Sequence, residues 1–290
     1  METFFSPQPF NLSDQAMILL VASRKDIASL NIAKQILNHY PFSITGETFQ
    51  ENLIFSADIS RKKVTFIMLN DEAVNAQHLP QSFTNLSLIV FISRHSSTSG
   101  TPTLSVHTPG NLGEAKLGGL PKQVSVSPAT AMRDALKALM LFKEGMKLDY
   151  EVSYECTHHG PSLNVPTMFV ELGSSPKQWR DSKAAEAVAH ATMSAIGKFG
   201  GSEKTAVLGI GGTHYNQRFT RMAVDGEAVF GHMIPKYAVP CVDAEILRQC
   251  VEKTVEKVDC AFLDWKGIKS ADKPQLLAAL QELGLSYKKI

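Results

Sequence analysis

The sequence predicts an α/β protein with a mixed, largely parallel sheet flanked by helices, and three observations carry that expectation. Short apolar runs of strand length alternate with amphipathic stretches along the 290 residues. The runs at 17–22, 64–69 and 86–92 are apolar at nearly every position, as strands buried on both faces are. Hydrophobic residues make up 44% and charged residues 20% of the chain, enough apolar surface for a substantial core and against a disordered one.

After a polar N-terminal tail, 17–22 reads as a strand and 26–37 as a helix. Asp26 is placed to cap that helix, and Ile27, Leu30, Ile32, Ile36 and Leu37 form its stripe. Strands follow at 64–69 and 86–92. Residues 93–127 are rich in Ser, Thr, Gly and Pro and read as a long loop, a length uncommon in a compact domain unless it is functional. Ser127-Pro128 reads as an N-cap serine and N1 proline opening a helix through Met132, Leu136, Leu139, Met140 and Phe142. Strands are expected near 150–156 and 165–171. Asp181 opens an alanine-rich helix to about Phe199, closed by Gly200-Gly201. A strand at 205–210, a helix near 243–257, a strand at 258–263 and a helix from about 273 to 283 complete the alternation. The expectation is one α/β unit over residues 1–290, with 146–150 as the place for a joint between subdomains.

The net charge of +1 carries no bulk polybasic signature, so a nucleic-acid partner has to be held by a local patch and a DNA-binding role is not indicated. No apolar stretch approaches the ~20 residues that cross a bilayer. The N-terminus lacks a basic segment followed by an apolar one, so the default expectation is a cytoplasmic protein without membrane contact. The cysteines Cys156, Cys241, Cys250 and Cys260 form no CxxC pair, which speaks against a zinc ribbon and gives no disulfide framework.

Function is written in the histidines. Of nine, His95, His107, His158, His159, His214 and His232 fall in Gly-, Pro- or Ser-bounded segments that read as loops, several of them directly after an apolar run. In Glu155-Cys156-Thr157-His158-His159-Gly160-Pro161 the adjacent imidazoles suit a general base, metal ligands or both, with Glu155 as an orienting carboxylate; a pair of hydrogen-bonded loop histidines is the bland alternative. Cys156 at a strand end is more often buried and inert than nucleophilic. In Gly211-Gly212-Thr213-His214-Tyr215 the glycines allow the backbone to approach a ligand carbonyl or phosphate that His214 and Tyr215 also reach. The spacing is neither a dinucleotide fingerprint nor a P-loop. Arg218, Arg221, Lys236 and Tyr237 interleave base and aromatic, as the end of an RNA requires, although solvated surface charge explains them equally; Arg94, Lys116 and Lys122 share that ambiguity. Loop histidines with Glu155, Glu171 or Asp225 nearby suit Zn2+, and His95, His107 and His232 are the candidate ligands, without a metal-specific spacing to fix them.

Taken in order, the motifs resemble one family. Ser93-Arg94-His95-Ser96-Ser97 with Gly100-Thr101-Pro102, Val106-His107-Thr108-Pro109-Gly110-Asn111, Thr157-His158-His159-Gly160-Pro161, the stretch from Val165 to Ser174, Gly211-Gly212-Thr213-His214-Tyr215 and Phe230-Gly231-His232-Met233-Ile234-Pro235-Lys236-Tyr237 are similar to the archaeal- and plant-type D-aminoacyl-tRNA deacylases. The similarity runs from about Ser93 to Leu263 and more weakly over the first strand and helix; the segment up to about Asp14 matches nothing. The resemblance implies a zinc-dependent hydrolase that cleaves the ester joining a D-amino acid to the 3′ end of tRNA, on a fold related in part to peptidyl-tRNA hydrolases and phosphorylase-like α/β proteins. In plants the family is also linked to aldehyde-modified D-aminoacyl-tRNA. On that reading His158 or His159 activates water, Gly211, Gly212 and His214 lie near the carbonyl, and Arg94, Arg218 and Lys236 hold the acceptor end. A peptidyl-tRNA hydrolase, a phosphorylase-like enzyme, and a tRNA- or metal-binding module without turnover are the competing expectations.

Overall fold

The computed structural model describes residues 16–201 and 205–290, so the N-terminal segment to Asp14 lies outside the described residues. The first and larger sheet is built from β1 (Met17–Ser23), β2 (Ser43–Phe49), β3 (Asn52–Ile59), β4 (Lys62–Leu69), β5 (Leu86–Ser96), β6 (Thr103–His107), β9 (Glu151–Tyr154) and β10 (Thr167–Ser174). A short hairpin of β7 (Gly110–Asn111) and β8 (Gln123–Val124) stands apart from it. The large sheet has the order β2-β3-β4-β1-β5-β10-β6-β9. Its centre, β4-β1-β5-β10, is parallel; β2-β3-β4 is an antiparallel edge, and β6 runs antiparallel to β10. A second sheet of β11 (Ala206–Ile210), β12 (Phe230–Ile234), β13 (Val258–Leu263) and β14 (Tyr287–Lys289) is parallel throughout, in the order β12-β11-β13-β14. The mixed, largely parallel sheet read from the apolar runs is therefore the observed one.

The side-chain alternation of each strand divides the core. Ile18, Leu20 and Ala22 of β1 face α1 (Ile27–His39), while Leu19 and Val21 point to the other face and meet Leu79, at the start of α2 (Leu79–Ser82). The α1 face is closed by α3 (Ala129–Gly145), α4 (Pro176–Trp179) and the alanine-rich α5 (Ser182–Lys198), whose small residues let helix and sheet approach. In the second unit α6 (Gln217–Asp225) joins the large core through Phe219. There α7 (Ala244–Glu252) and α8 (Lys273–Glu282) cover β11 and β13 with Ile246, Leu247, Leu276 and Leu280. Residues 146–150 link α3 to β9 within the large sheet, and the chain enters the second sheet after α5.

Several local expectations change for physical reasons. Asp26 and Asp181 cap α1 and α5 as read, accepting from the amides of Ser29 and of Lys183 and Ala184. Ser127 does not cap α3. The two carboxylate oxygens of Glu256 accept from the amides of Ala129 and Thr130 at 3.0 and 2.8 Å, a cap supplied from far along the chain. The stretch 93–127 is not one loop: β5 continues to Ser96, and β6, β7 and β8 lie within it. Phe230–Ile234, which reads as loop because of Gly231, is a fully buried parallel strand, and a Cβ on Gly231 would lie 2.7 Å from Thr254 Oγ1. Accordingly His95, His107 and His232 sit on strands, not in loops.

Candidate functional site

Glu155 is the hub. It follows β9, is 2% exposed, and pairs backbone to backbone with Tyr215 in the segment after β11, so this carboxylate lies on the seam between the two sheets. Cys156 N–H donates to His214 C=O and Asn216 N–H to Tyr154 C=O, which stitches the seam on both sides of it. His214 Nε2 lies 3.0 Å from Glu155 Oε2, and His158 Nε2 lies 3.6 Å from the same oxygen. His95 Nδ1 comes within 3.1 Å of Oε1, misaligned for a hydrogen bond, so Oε1 remains without a partner.

A second carboxylate lies deeper. Glu171 of β10 accepts from the Ser93 hydroxyl at 2.6 Å, with His95 Nδ1 3.8 Å and His107 Nε2 3.7 Å away. The ladder sets this up: Glu171 pairs in register with Ser93 of β5 on one side and Ser105 of β6 on the other. The two carboxylates are driven apart in protonation. Burial raises both, and the charge of Glu155 adds to this at Glu171, which stands well above the usual range. At Glu155 the neighbouring His214, His95 and His158 outweigh burial and hold it well below that range. Two neighbouring buried acids are thus shifted in opposite directions.

The third group is imidazole alone. Rings of His107, His158 and His159 stand with centroids 4.3, 4.2 and 4.9 Å apart, and His107 stacks on Phe169. His158 Nδ1–H donates to Cys156 C=O at 2.9 Å and His159 Nδ1–H to Gly160 C=O at 2.6 Å, which leaves both Nε2 atoms as lone pairs. Burial, and then neighbouring imidazoles, depress His158 well below its usual value and His159 to about 3; burial takes His107 to about 4. All are neutral at physiological pH. Donor atoms of His107, His158 and His159 lie within 4.8 Å of one another, as do those of Glu155, His158 and His214 and those of His95, Glu155 and Glu171. Buried atoms without a partner concentrate here: His95 Nε2, both ring nitrogens of His107, and Glu155 Oε1. Leaving such atoms bare in a dry interior costs free energy, and imidazole nitrogens with carboxylate oxygens are the donor set of Zn2+, so the residues fit the metal implied by the motifs.

His232 is elsewhere. Its Nε2–H is shared between Ser125 C=O and Lys253 C=O, each at 3.1 Å, and Thr157 Oγ faces Nδ1 at 3.1 Å, so no nitrogen is left for a ligand. It braces the strand beneath the site. The glycine pair is also placed differently from expectation: Gly211 N–H donates to Ile234 C=O, and Cβ atoms on Gly211 and Gly212 would meet Asp264 and Asn216. These glycines serve packing under the His214 loop. Arg218 donates to Asp264 and Lys236 is exposed, neither lining the cavities beside the cluster. Arg94 and Tyr215 do line one, Arg94 held by Glu72 at 3.1 Å and Tyr215 edge-on to His95. Glu171, Ser93 and the Tyr237 hydroxyl, 3.1 Å from His214 Nδ1, complete the site. Glu171 is one of the carboxylates the sequence offers near the histidines, while Ser93, at the end of an apolar run, gives a signal weaker than paired histidines.

Two cavities meet at the histidines. One of about 590 Å³ has Glu155, Glu171, His95 and Phe169 in its wall and Arg94 and Val74 above them. The other, about 870 Å³, is lined by Leu112, Pro240, Val242 and Tyr237 with Lys116 and Lys122 near its rim. His158, His159 and Leu117 border both.

Fold and cluster together define an α/β enzyme with an imidazole–carboxylate centre at the seam of two sheets. The profile of the D-aminoacyl-tRNA deacylase family matches residues 82–288. Proteins named D-aminoacyl-tRNA deacylase from Thermococcus onnurineus and Methanosarcina barkeri are 32% and 34% identical, over 93% and 97% of this chain and 99% and 93% of their own. One from Ignicoccus hospitalis is 36% identical over 80% of this chain and 95% of its own. A crystal structure described as a conserved protein of unknown function superposes with a TM-score of 0.81 at 30% identity, covering 94% of this chain and 95% of that one. The chain belongs to the D-aminoacyl-tRNA deacylase family.

Proposed function

We infer that this chain is a hydrolase that cleaves the ester of D-aminoacyl-tRNA, releasing free tRNA and a D-amino acid, and we propose that it does so as a zinc enzyme. Family membership supplies the substrate, and one observation carries the chemistry: three neutral imidazoles with uncommitted lone pairs stand against an ionised carboxylate at the junction of two cavities. His107, His158 and His159 would hold one ion, and the adjoining groups of Glu155, His158 and His214 and of His95, Glu155 and Glu171 would offer further ligand atoms. When bound, Zn2+ would supply Lewis-acid polarisation of water and of the ester carbonyl.

The chain's own groups account for the protons. Glu155 is the ionised base: it can take the proton of the attacking water and return it to the departing 3′ oxygen. His214 donates Nε2–H to Glu155 Oε2 and accepts the Tyr237 hydroxyl at Nδ1, which fixes its tautomer and aims the carboxylate. Partial burial and the nearby Cys156 and Glu155 push the Tyr237 phenol up to about 12, so it keeps its proton. Glu171, its carboxyl pushed well above the usual range by burial and by the charge of Glu155, is held in place by the Ser93 hydroxyl. Arg94 lines the smaller cavity with its charge met by Glu72 and Asp26. With a tRNA substrate, the working compartment we propose is the cytoplasm; among the described residues no helix is long and apolar enough to cross a membrane.

The test is deacylation of matched D- and L-aminoacyl-tRNA by purified protein, before and after chelation and with zinc restored. Release from the D-ester alone, lost on chelation and recovered with zinc, is the expected result. Turnover of N-acylated L-aminoacyl-tRNA in its place would move the substrate to that of a peptidyl-tRNA hydrolase.

A further inference from the structure

The scissile ester divides the substrate into two unequal parts, and the site divides space into two unequal cavities that share His158, His159 and Leu117. An ester reacting at that shared wall must send its acyl group to one side and its alcohol to the other. Which side takes which follows from an asymmetry in exposure. The amino acid is a free end and can be enclosed. The alcohol is the 3′-terminal adenosine of a long polynucleotide, so its cavity needs a wide mouth through which the chain leaves.

The smaller cavity is the more enclosed of the two: Asp26, Ser93, His95, Glu155, Phe169 and Glu171 in its wall are buried, with Ser96 and Leu117 exposed at its edge. The larger is open along one side, where Glu114, Lys116, Leu117, Pro121, Lys122 and Cys241 are exposed. Its rim cations are each paired with a rim acid, Lys116 with Glu114 and Lys122 with Asp243, and its walls are largely aliphatic with one aromatic ring, Tyr237. A neutral apolar chamber with an aromatic side suits a nucleobase, not an ammonium-bearing amino acid.

We propose that the D-aminoacyl group occupies the smaller, more enclosed cavity lined by Val74 and Phe169, and that the terminal adenosine occupies the larger, more open cavity against Tyr237, Pro240 and Cys241. This assignment rests on the reading of the chain as a D-aminoacyl-tRNA deacylase and adds which walls select the amino acid and which bind the nucleotide. Selection among amino acids is then a property of Val74 and its neighbours, and affinity for the tRNA end a property of the Leu112–Tyr237 side.

Kinetics of wild type, Val74→Phe, Cys241→Trp and Gly113→Val on D-tyrosyl-tRNA and D-alanyl-tRNA, with free adenosine as inhibitor, test it. Val74 is half-buried and Cys241 exposed, and a Cβ on Gly113 has 3.8 Å to its nearest neighbour, so each variant narrows a cavity without filling the core. Val74→Phe should lower the ratio of kcat/KM for D-tyrosyl over D-alanyl substrate by about tenfold or more. Cys241→Trp and Gly113→Val should leave that ratio in place, raise KM for both substrates and weaken inhibition by adenosine, each by about tenfold. Turnover of D-alanyl-tRNA reports that each variant is folded. The reverse pattern, or an equal response of both substrates and of adenosine to both kinds of variant, overturns the assignment. Failure of the wild type to release either D-amino acid removes the deacylase reading itself, an outcome separate from any ratio.

Discussion

His214 reaches across the seam between the two sheets to place its Nε2 3.0 Å from Glu155 Oε2, so the position of the ionised carboxylate depends on the second sheet being seated correctly against the first. This one contact makes a distance within the candidate site a reporter of tertiary assembly, and it sets the first prediction. His214→Ala should reduce kcat by about 10²-fold or more, the range for losing a positioned acid–base partner, with little change in KM. Tyr237→Phe removes only the outer hydrogen bond and should cost less. The double variant should be no worse than His214→Ala alone, because the phenol acts through the imidazole.

Glu155→Gln keeps the shape and removes the charge that three histidines surround. Activity should fall by at least about 10²-fold across the pH range, without recovery at high pH. A pH–rate profile of the variant that simply shifts and regains the wild-type plateau would take the base role from Glu155.

Metal content separates the histidines. His107→Ala, His158→Ala and His159→Ala should each lower bound zinc in metal analysis of protein loaded with zinc and desalted, and lower the melting temperature rise that zinc gives. His232→Ala should leave the zinc content at the wild-type value while lowering stability, since its nitrogens are committed to Ser125, Lys253 and Thr157.

His232 also sets a pH signature. Burial depresses its folded value to about 4, against 6.5 for the unfolded group. Between those values only the unfolded chain binds the proton, so this residue's contribution is complete above about pH 6.5 and is lost as pH falls toward 4, by about 3 kcal/mol in all. Denaturant melts of wild type and His232→Asn across that window should show a smaller slope in the variant. Equal slopes would mean that the buried imidazole is not the titrating group.

Glu256→Ala removes both acceptors from the first amides of α3. A loss of about 1–2 kcal/mol is expected in denaturant unfolding, with kcat unaffected, and Glu256→Gln should recover part of it.

Much of this was legible in the residues because the information is local. Apolar runs announced β1, β4 and β5, Asp26 and Asp181 announced their helices, and the paired histidines beside Glu155 do fall together in the candidate site. What escaped is long-range. The strand Ser43–Phe49 is exposed along nearly its whole length as an edge of the large sheet and shows no apolar alternation. Phe230–Ile234 looks like a glycine-broken loop until Thr254 is seen pressed against Gly231. The spacing of His232 resembles that of the other site histidines, and only its three partners, brought in from distant segments, make it structural. Glu171 reads from sequence only as one of three carboxylates near the histidines, and its place is fixed when β5 and β6 are laid on either side of it.

The turn that carries His158 and His159 touches the Leu117 loop backbone to backbone: a Cβ on Gly160 would lie 2.2 Å from Gly119 N, and Gly160 N–H donates to Leu117 C=O. No side chain lies between them to bend and absorb a displacement. Loop and turn therefore behave as a single stiff plate. The two cavities share that plate as a wall, so any displacement of Leu117 would be passed to the histidine turn and not absorbed between them.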